Sequence, residues 1–189
     1  MRHRLRYLSR FIGAFIVLIL AACATLPTLT APARLGLKLA PAALGQAISL
    51  QQHLIVERNG RVDELDAALE VDAEHLEMVG LAFGQRVLSL HYDGSELKTW
   101  RHALLPAQVR AEDVLEDLQL TMWPLDSIAQ ALPVGWKIED IGLHRTLFLD
   151  DVVVLKIEYG GFPRWSGKVR LENLRYKYSL TIQSVVVES

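Results

Sequence analysis

From about residue 47 to its end the chain alternates apolar and polar residues with a period of two, broken at short intervals by turn residues. That period puts successive side chains on opposite faces, the mark of half-buried strands. Leu50, Gln52, Leu54 and Val56 share one face, and Asn59-Gly60 then supplies the two positive-φ residues of a type I′ turn. The chain returns through Leu65, Ala67, Leu69 and Val71, set against Glu64, Asp66, Ala68 and Glu70. Further strands are expected around Leu76 and Met78, over Gln85 to Tyr92, and from the Asp93-Gly94 turn to Trp100.

The pattern changes over Ala111 to Met122, where Val114, Leu115 and Leu118 fall at helical spacing behind Glu112 and Asp113, acids that suit a helix N-terminus. Pro124 can open a second helix through Ile128 to Leu132, closed by Pro133 and Gly135. Strands resume after Trp136, over Val152 to Tyr159 and Lys168 to Leu174, and in a last stretch carrying Tyr176, Tyr178, Leu180 and Ile182. The expectation is a mainly β fold: about nine antiparallel strands in a curved sheet or unclosed barrel over 47–189, with two mid-chain helices as its lid. Nothing alternates strand and helix as a nucleotide-binding parallel sheet does. Two readings of the helices stay open: they roof an apolar cavity able to hold an acyl chain, or they simply complete the core.

Ahead of this body, residues 2–10 are basic and residues 11–22 are uninterrupted apolar. Such a run makes about 18 Å of helix, short of the roughly 30 Å a membrane core requires, so 1–22 reads as a signal peptide. The one cysteine of the 189-residue chain ends it, in Leu20-Ala21-Ala22-Cys23. This resembles a bacterial lipobox, which implies acylation of Cys23 and a lipid anchor; ordinary cleavage after Ala22 or Ala24 is the alternative. A lone exported thiol has no disulfide partner within the chain, and a thioether-linked lipid gives it a role. Alanine at position 24 resembles the signal that sends such proteins to the outer membrane. Residues 23–46, with Pro27, Pro32 and Pro41, read as anchor and tether, although Leu35 to Leu44 is apolar enough to pack on the body.

Removing the four arginines of residues 1–22 from the totals of 20 bases and 22 acids leaves an acidic body, which argues against nucleic acid as a partner. Ser89, His91 and Asp93 contain the residue types of a hydrolase triad, but side chains two apart on a strand lie about 6.5 Å from one another, too far to pass a proton. No nucleophile elbow, zinc-protease or phosphate-loop motif occurs, the histidines lack metal spacing, and Asp150-Asp151 reads as a turn. No enzymatic activity, cofactor or metal is expected. Gly80-Leu81-Ala82-Phe83-Gly84 is more telling, because large apolar residues occupy a strand connection that turn chemistry usually fills with polar ones. Phe83 either offers an apolar tip to a membrane or cargo, or tucks back into the core.

The order of these elements resembles the LolB family of outer-membrane lipoproteins. The residues that carry the likeness are the Asn59-Gly60 hairpin, the loop Ala82-Phe83-Gly84, the helix after it, Pro124-Leu125-Asp126-Ser127-Ile128, and the closing strands. The resemblance implies an unclosed barrel, a lid to which Trp123, Leu125 and Ile128 belong, and a loop of Leu81 and Phe83 that meets membrane or cargo. Ala82, Phe83 and Ala131 stand where that family has proline, leucine and tryptophan. Leu50-Gln51-Gln52, Leu69-Glu70-Val71-Asp72, Gly84-Gln85-Arg86, Tyr92-Asp93-Gly94, Leu104-Leu105-Pro106 and Leu171-Glu172-Asn173 are similar to a family of proteobacterial lipoproteins known as a domain of unknown function. Members often accompany fatty-acid-synthase-like genes, including those for aryl polyenes, which implies cargo with a long apolar chain. The expected function is a lipid-anchored protein on the periplasmic face of the outer membrane. It would bind an acyl or polyene chain, received from a periplasmic carrier protein, and help place it in the bilayer. A scaffold gripping a protein partner through a sheet edge is the alternative, and an acyl ester or thioester hydrolase the least favoured.

Overall fold

A computed structural model describes residues 34–187. Ten strands form one antiparallel sheet: β1 (Ile48–Arg58), β2 (Arg61–Val71), β3 (Leu76–Ala82), β4 (Gln85–Tyr92), β5 (Leu97–Arg101), β6 (Trp136–Ile141), β7 (His144–Leu149), β8 (Val152–Tyr159), β9 (Gly167–Asn173) and β10 (Tyr178–Val186). Helices α1 (Ala111–Met122) and α2 (Leu125–Ala131) lie between β5 and β6 in the chain. The order across the sheet is β5-β4-β3-β2-β1-β10-β9-β8-β7-β6. Two meanders of consecutive hairpins are thus joined in the middle by β1 and β10, and the helical connection runs from one edge of the unclosed sheet to the other. The mainly β, unclosed architecture with two helices is the one read from the sequence. The additional strand comes from the stretch after Trp136, where Gly142 at φ +59° turns the chain and pairs Ile141 with His144.

One face of the sheet is apolar because the alternation places Leu50 and Leu54, Leu69 and Val71, Leu76 and Met78 on the same side, all buried. Helix α1 fills that face. Its apolar stripe explains Leu115 and Leu118, yet every residue from Leu115 to Trp123 is buried, including Glu116, Asp117, Gln119 and Thr121. The polar side of the helix is covered by residues 34–44, where Leu37, Leu39, Pro41 and Leu44 turn inward and Pro41–Leu44 forms a 3-10 turn. The packed body therefore includes residues 34–44, ahead of the start expected near residue 47. The apolar half of the expected tether is a strap built into the fold, because burying its leucines is worth roughly 2 kcal/mol apiece.

A buried helix leaves its last carbonyls without partners unless side chains reach them. Arg145, 1% exposed, donates from Nη1 to the carbonyl oxygens of Leu120 (2.7 Å) and Trp123 (2.9 Å). The same guanidinium grips both oxygens of Asp140, at 2.8 and 2.9 Å. The Tyr159 hydroxyl donates to the carbonyl oxygen of Thr121 at 2.8 Å. A cation at a helix C-terminus also meets the negative end of the helix dipole. Arg145→Ala should destabilise the fold by about 3–5 kcal/mol, since it leaves two buried helix carbonyls without their donor and Asp140 with Arg164 alone, 3.1 Å away. Urea unfolding followed by far-UV circular dichroism would measure this.

Candidate functional site

The strap runs alongside α1 and α2 and is laced to them in register. Gly36 N–H donates to Glu116 Oε2 (2.6 Å), Leu39 N–H to Gln119 Oε1 (3.0 Å), and Gln119 Nε2 returns a bond to the Leu39 carbonyl (2.9 Å). Trp123 Nε1 donates to the Ala40 carbonyl at 3.2 Å and Ser127 Oγ to that of Ala43 at 3.3 Å. At its start, Arg34 lies 3.4 to 3.6 Å from the carboxylates of Asp113, Glu116 and Asp117, with its guanidinium 4.3 Å from the Tyr176 ring centre. Tyr178 donates its hydroxyl to Asp117 at 2.5 Å. Burial drives the Asp117 carboxyl up to about 7, against the opposing pull of Arg34 and the Tyr178 hydroxyl. Burial also raises Glu116, and it raises Tyr178 with help from the Asp117 charge.

Trp123 and Ile128, expected in a lid over a cavity, are 0% exposed within the continuous apolar core, and Leu125 packs half-buried against it. Their burial fits either of the two readings left open by periodicity. Two hollows stand out among the described residues, and neither lies beneath the helices. One of about 560 Å³ is bordered by Ile48, Val71, Asp72, His75, Pro163 and Trp165. The other, about 610 Å³, lies between the β1–β2 and β9–β10 turns and includes Arg58, Arg61, Arg170 and Lys177. Both open to solvent.

The Leu81–Phe83 loop has a different character. Ala82 pairs with Gln85, so Phe83 and Gly84 are the two central residues of a tight turn, at φ +52° and +71°. The β1–β2 turn has the same form with Asn59 at φ +52° and Gly60 at +77°. Asparagine tolerates that conformation; a phenylalanine there is strained by roughly 1 kcal/mol. The Phe83 side chain recovers none of that by packing, for it is fully exposed. Leu81, half-exposed on β3, follows a bulge at Gly80/Leu81. Cys23 and the segment 1–22 lie outside the described residues.

The triad-like residues do not converge. His91 Nδ1 lies 3.0 Å from Glu77 Oε1, while one oxygen of Asp93 accepts from Ser95 N–H, Ser95 Oγ and Glu96 N–H to shape the β4–β5 turn. Asp150 and Asp151, at φ +48° and +62°, form the β7–β8 turn. Sequence reasoning missed Arg34, Asp117 and Arg145. The available signal was the i, i+3, i+4 spacing of Asp113, Glu116 and Asp117, which puts three acids on one helix face; it reads equally as a solvated surface until a cation covers it.

Residues 49–186 match the family described as "Protein of unknown function (DUF3261)". The chain belongs to this family. No curated protein matches the sequence. Among solved structures, this DUF3261 member is similar to a LolA superfamily protein from Nitrosomonas europaea, at 9% identity and a TM-score of 0.41, covering 79% of this chain and 90% of that one. It is also similar to a DUF1329 family protein from Desulfovibrio piger ATCC 29098, at 9% identity and a TM-score of 0.42, covering 77% and 87%. Values this low carry no function across.

Two measurements follow from this geometry. Asp117 holds its proton more tightly when folded (pKa about 7) than at its ordinary value of 3.8. The folded state therefore binds more protons than the unfolded one between those values, and stability is lost as pH rises through that window. Asp117→Asn should flatten that decline, read from urea midpoints at a series of pH values from about 4 to 7.5. Phe83→Asn should leave stability unchanged or raise it by about 1 kcal/mol, because asparagine relieves the left-handed strain and no buried contact is lost. Its thermal midpoint would check this.

Proposed function

We propose that this protein is a non-enzymatic, lipid-anchored lipoprotein of the outer membrane that engages an apolar, acyl-type chain and aids its placement in the bilayer. Phe83 carries the reading: a large aromatic ring held in solvent at a backbone cost, where the fold gains nothing from it. Strain kept at an exposed position points to use of the side chain beyond folding. The ring would serve as the tip that enters lipid or touches the cargo chain, and Leu81 would flank it. Trp123 and Ile128 are buried while Phe83 is fully exposed, so the Phe83 loop is where cargo would first meet the protein.

The second reading is an assembly lipoprotein that grips a protein partner. Of the two sheet edges, β5 is a poor handle for it, since it spans only Leu97–Arg101 and carries Lys98 and Arg101, charges that discourage strand addition; β6 is the edge left for such a partner. Transfer of a fluorescent acyl lipid between donor and acceptor vesicles separates the two. The full-length chain should speed transfer, and Phe83→Glu should reduce that gain roughly tenfold or more, because a carboxylate resists entering lipid. Far-UV circular dichroism and the thermal midpoint should stay as in the wild type. A wild-type chain that moves no lipid would leave the scaffold reading.

A further inference from the structure

The pairing register assigns every turn to one of two ends of the sheet. The β1–β2, β3–β4, β7–β8 and β9–β10 turns share one end with the segment after β5 and the segment before β6. The β2–β3, β4–β5, β6–β7 and β8–β9 turns share the other. The two ends differ in chemistry. At the first, Phe83, Leu104, Val134, Val152 and Val62 stand exposed on five separate segments. Around them are Arg58 and Arg61, Arg86, Arg101 and Arg110, and Lys177. Asp150 and Asp151 are the acids in these connections, while Asp63 and Glu112 are paired with Arg61 and Arg110. The turns of the other end carry Asp72, Glu74, Asp93 and Glu96, and of the bases there Lys98 is paired with Glu96 and Arg164 with Asp140, while Lys168 opens β9; its exposed apolar residues are Ile141, Phe162 and the end of β10, Val185 to Val187, so the ends differ in charge rather than in apolar exposure.

Two further observations fall at the first end. The hollow of about 610 Å³ opens there between the β1–β2 and β9–β10 turns, bordered by Arg58, Arg61, Arg170 and Lys177 together with Glu57 and Glu172. The strap also begins there: Arg34 sits against Tyr176 and Tyr178, and the chain then runs to Trp123 and Ser127 before entering β1 at the opposite end. Residues 24–33 span at most about 35 Å when extended, so an anchor at Cys23 keeps this end within that distance of a bilayer.

We propose that this end of the sheet is a docking surface for an anionic phospholipid bilayer, with the bases around the β1–β2/β9–β10 hollow meeting headgroup phosphates while Phe83, Leu104 and Val134 enter the interface. Apolar tips interleaved with bases are what such an interface accommodates, each base near an anionic surface adding to the attraction. The surface deepens the reading of Phe83 given above but does not need it, since docking requires no cargo. The acidic end would face away from the lipid.

The test uses the exported chain acylated at Cys23, whose sulfur is taken up in the thioether, so that one introduced thiol carries the bimane label. Labels go at Leu104→Cys or Val134→Cys on the basic end, and at Ile141→Cys or Phe162→Cys on the acidic one. The protein is reconstituted on vesicles containing brominated phosphatidylcholine, with or without phosphatidylglycerol. Quenching is expected at Leu104→Cys and Val134→Cys, several-fold stronger with phosphatidylglycerol than without it, and near background at Ile141→Cys and Phe162→Cys. Adding Arg61→Glu, Arg170→Glu and Lys177→Glu, all exposed positions, should bring the basic-end signal down to that background. Equal quenching at the two ends, none at either, or no response to phosphatidylglycerol would overturn the proposal. Quenching as expected in a chain that transfers no lipid would keep the docking surface and remove the cargo reading.

Discussion

A helix enclosed on all sides must find donors for its own last carbonyls, and in this fold Arg145 supplies them. Its guanidinium holds the end of α1 and Asp140 at once, so the helix, the β6–β7 hairpin and the sheet are tied at a single buried point. The Tyr159 hydroxyl on β8 completes the arrangement. With that end fixed, Trp123 and Ile128 have one place to go, and the interior closes around them. Arginine suits the position because its planar fork reaches a carboxylate and two carbonyls together, which a lysine ammonium cannot do with the same geometry.

The other end of α1 is secured differently. Three acids on its outer face would repel one another if the helix were simply buried, and Arg34 answers them from the strap. The bonds from Glu116 and Gln119 to the strap backbone then act like a strand pairing, although one partner is a helix side-chain row. An extended segment can thus cover a helix without leaving its backbone groups orphaned.

Most of the sheet was legible because strands declare themselves by period and by turn residues. Asn59-Gly60, Asp93-Gly94 and the Asp150-Asp151 pair each mark a reversal, and the structure turns at each. The split after Trp136 was less visible because Gly142 is a single residue in an otherwise continuous pattern. The strap was half-visible: Leu35–Leu44 was apolar enough to pack, but nothing local distinguishes a packed apolar segment from a tether. What lies beneath the helices was not legible at all. Trp123 and Ile128 have the same spacing whether they line a hollow or plug it, since period reports the face of a helix and not the volume beneath it. The fate of Phe83 was open for a similar reason, because a turn's φ values, which decide whether the ring can fold back, are invisible in residue type alone.

The two strands at the middle of the sheet are the first and last among the described residues, with Leu50 opposite Val186. The two meanders therefore stay unjoined until the last of these strands is in place, and the longest-range strand pairing of the fold is also its keystone. Such a topology is slow to complete, because a large loop must close before the central pairing forms. The delay has a consequence for folding: neither meander can bury the inner edges of β1 and β9 until β10 has found its place between them.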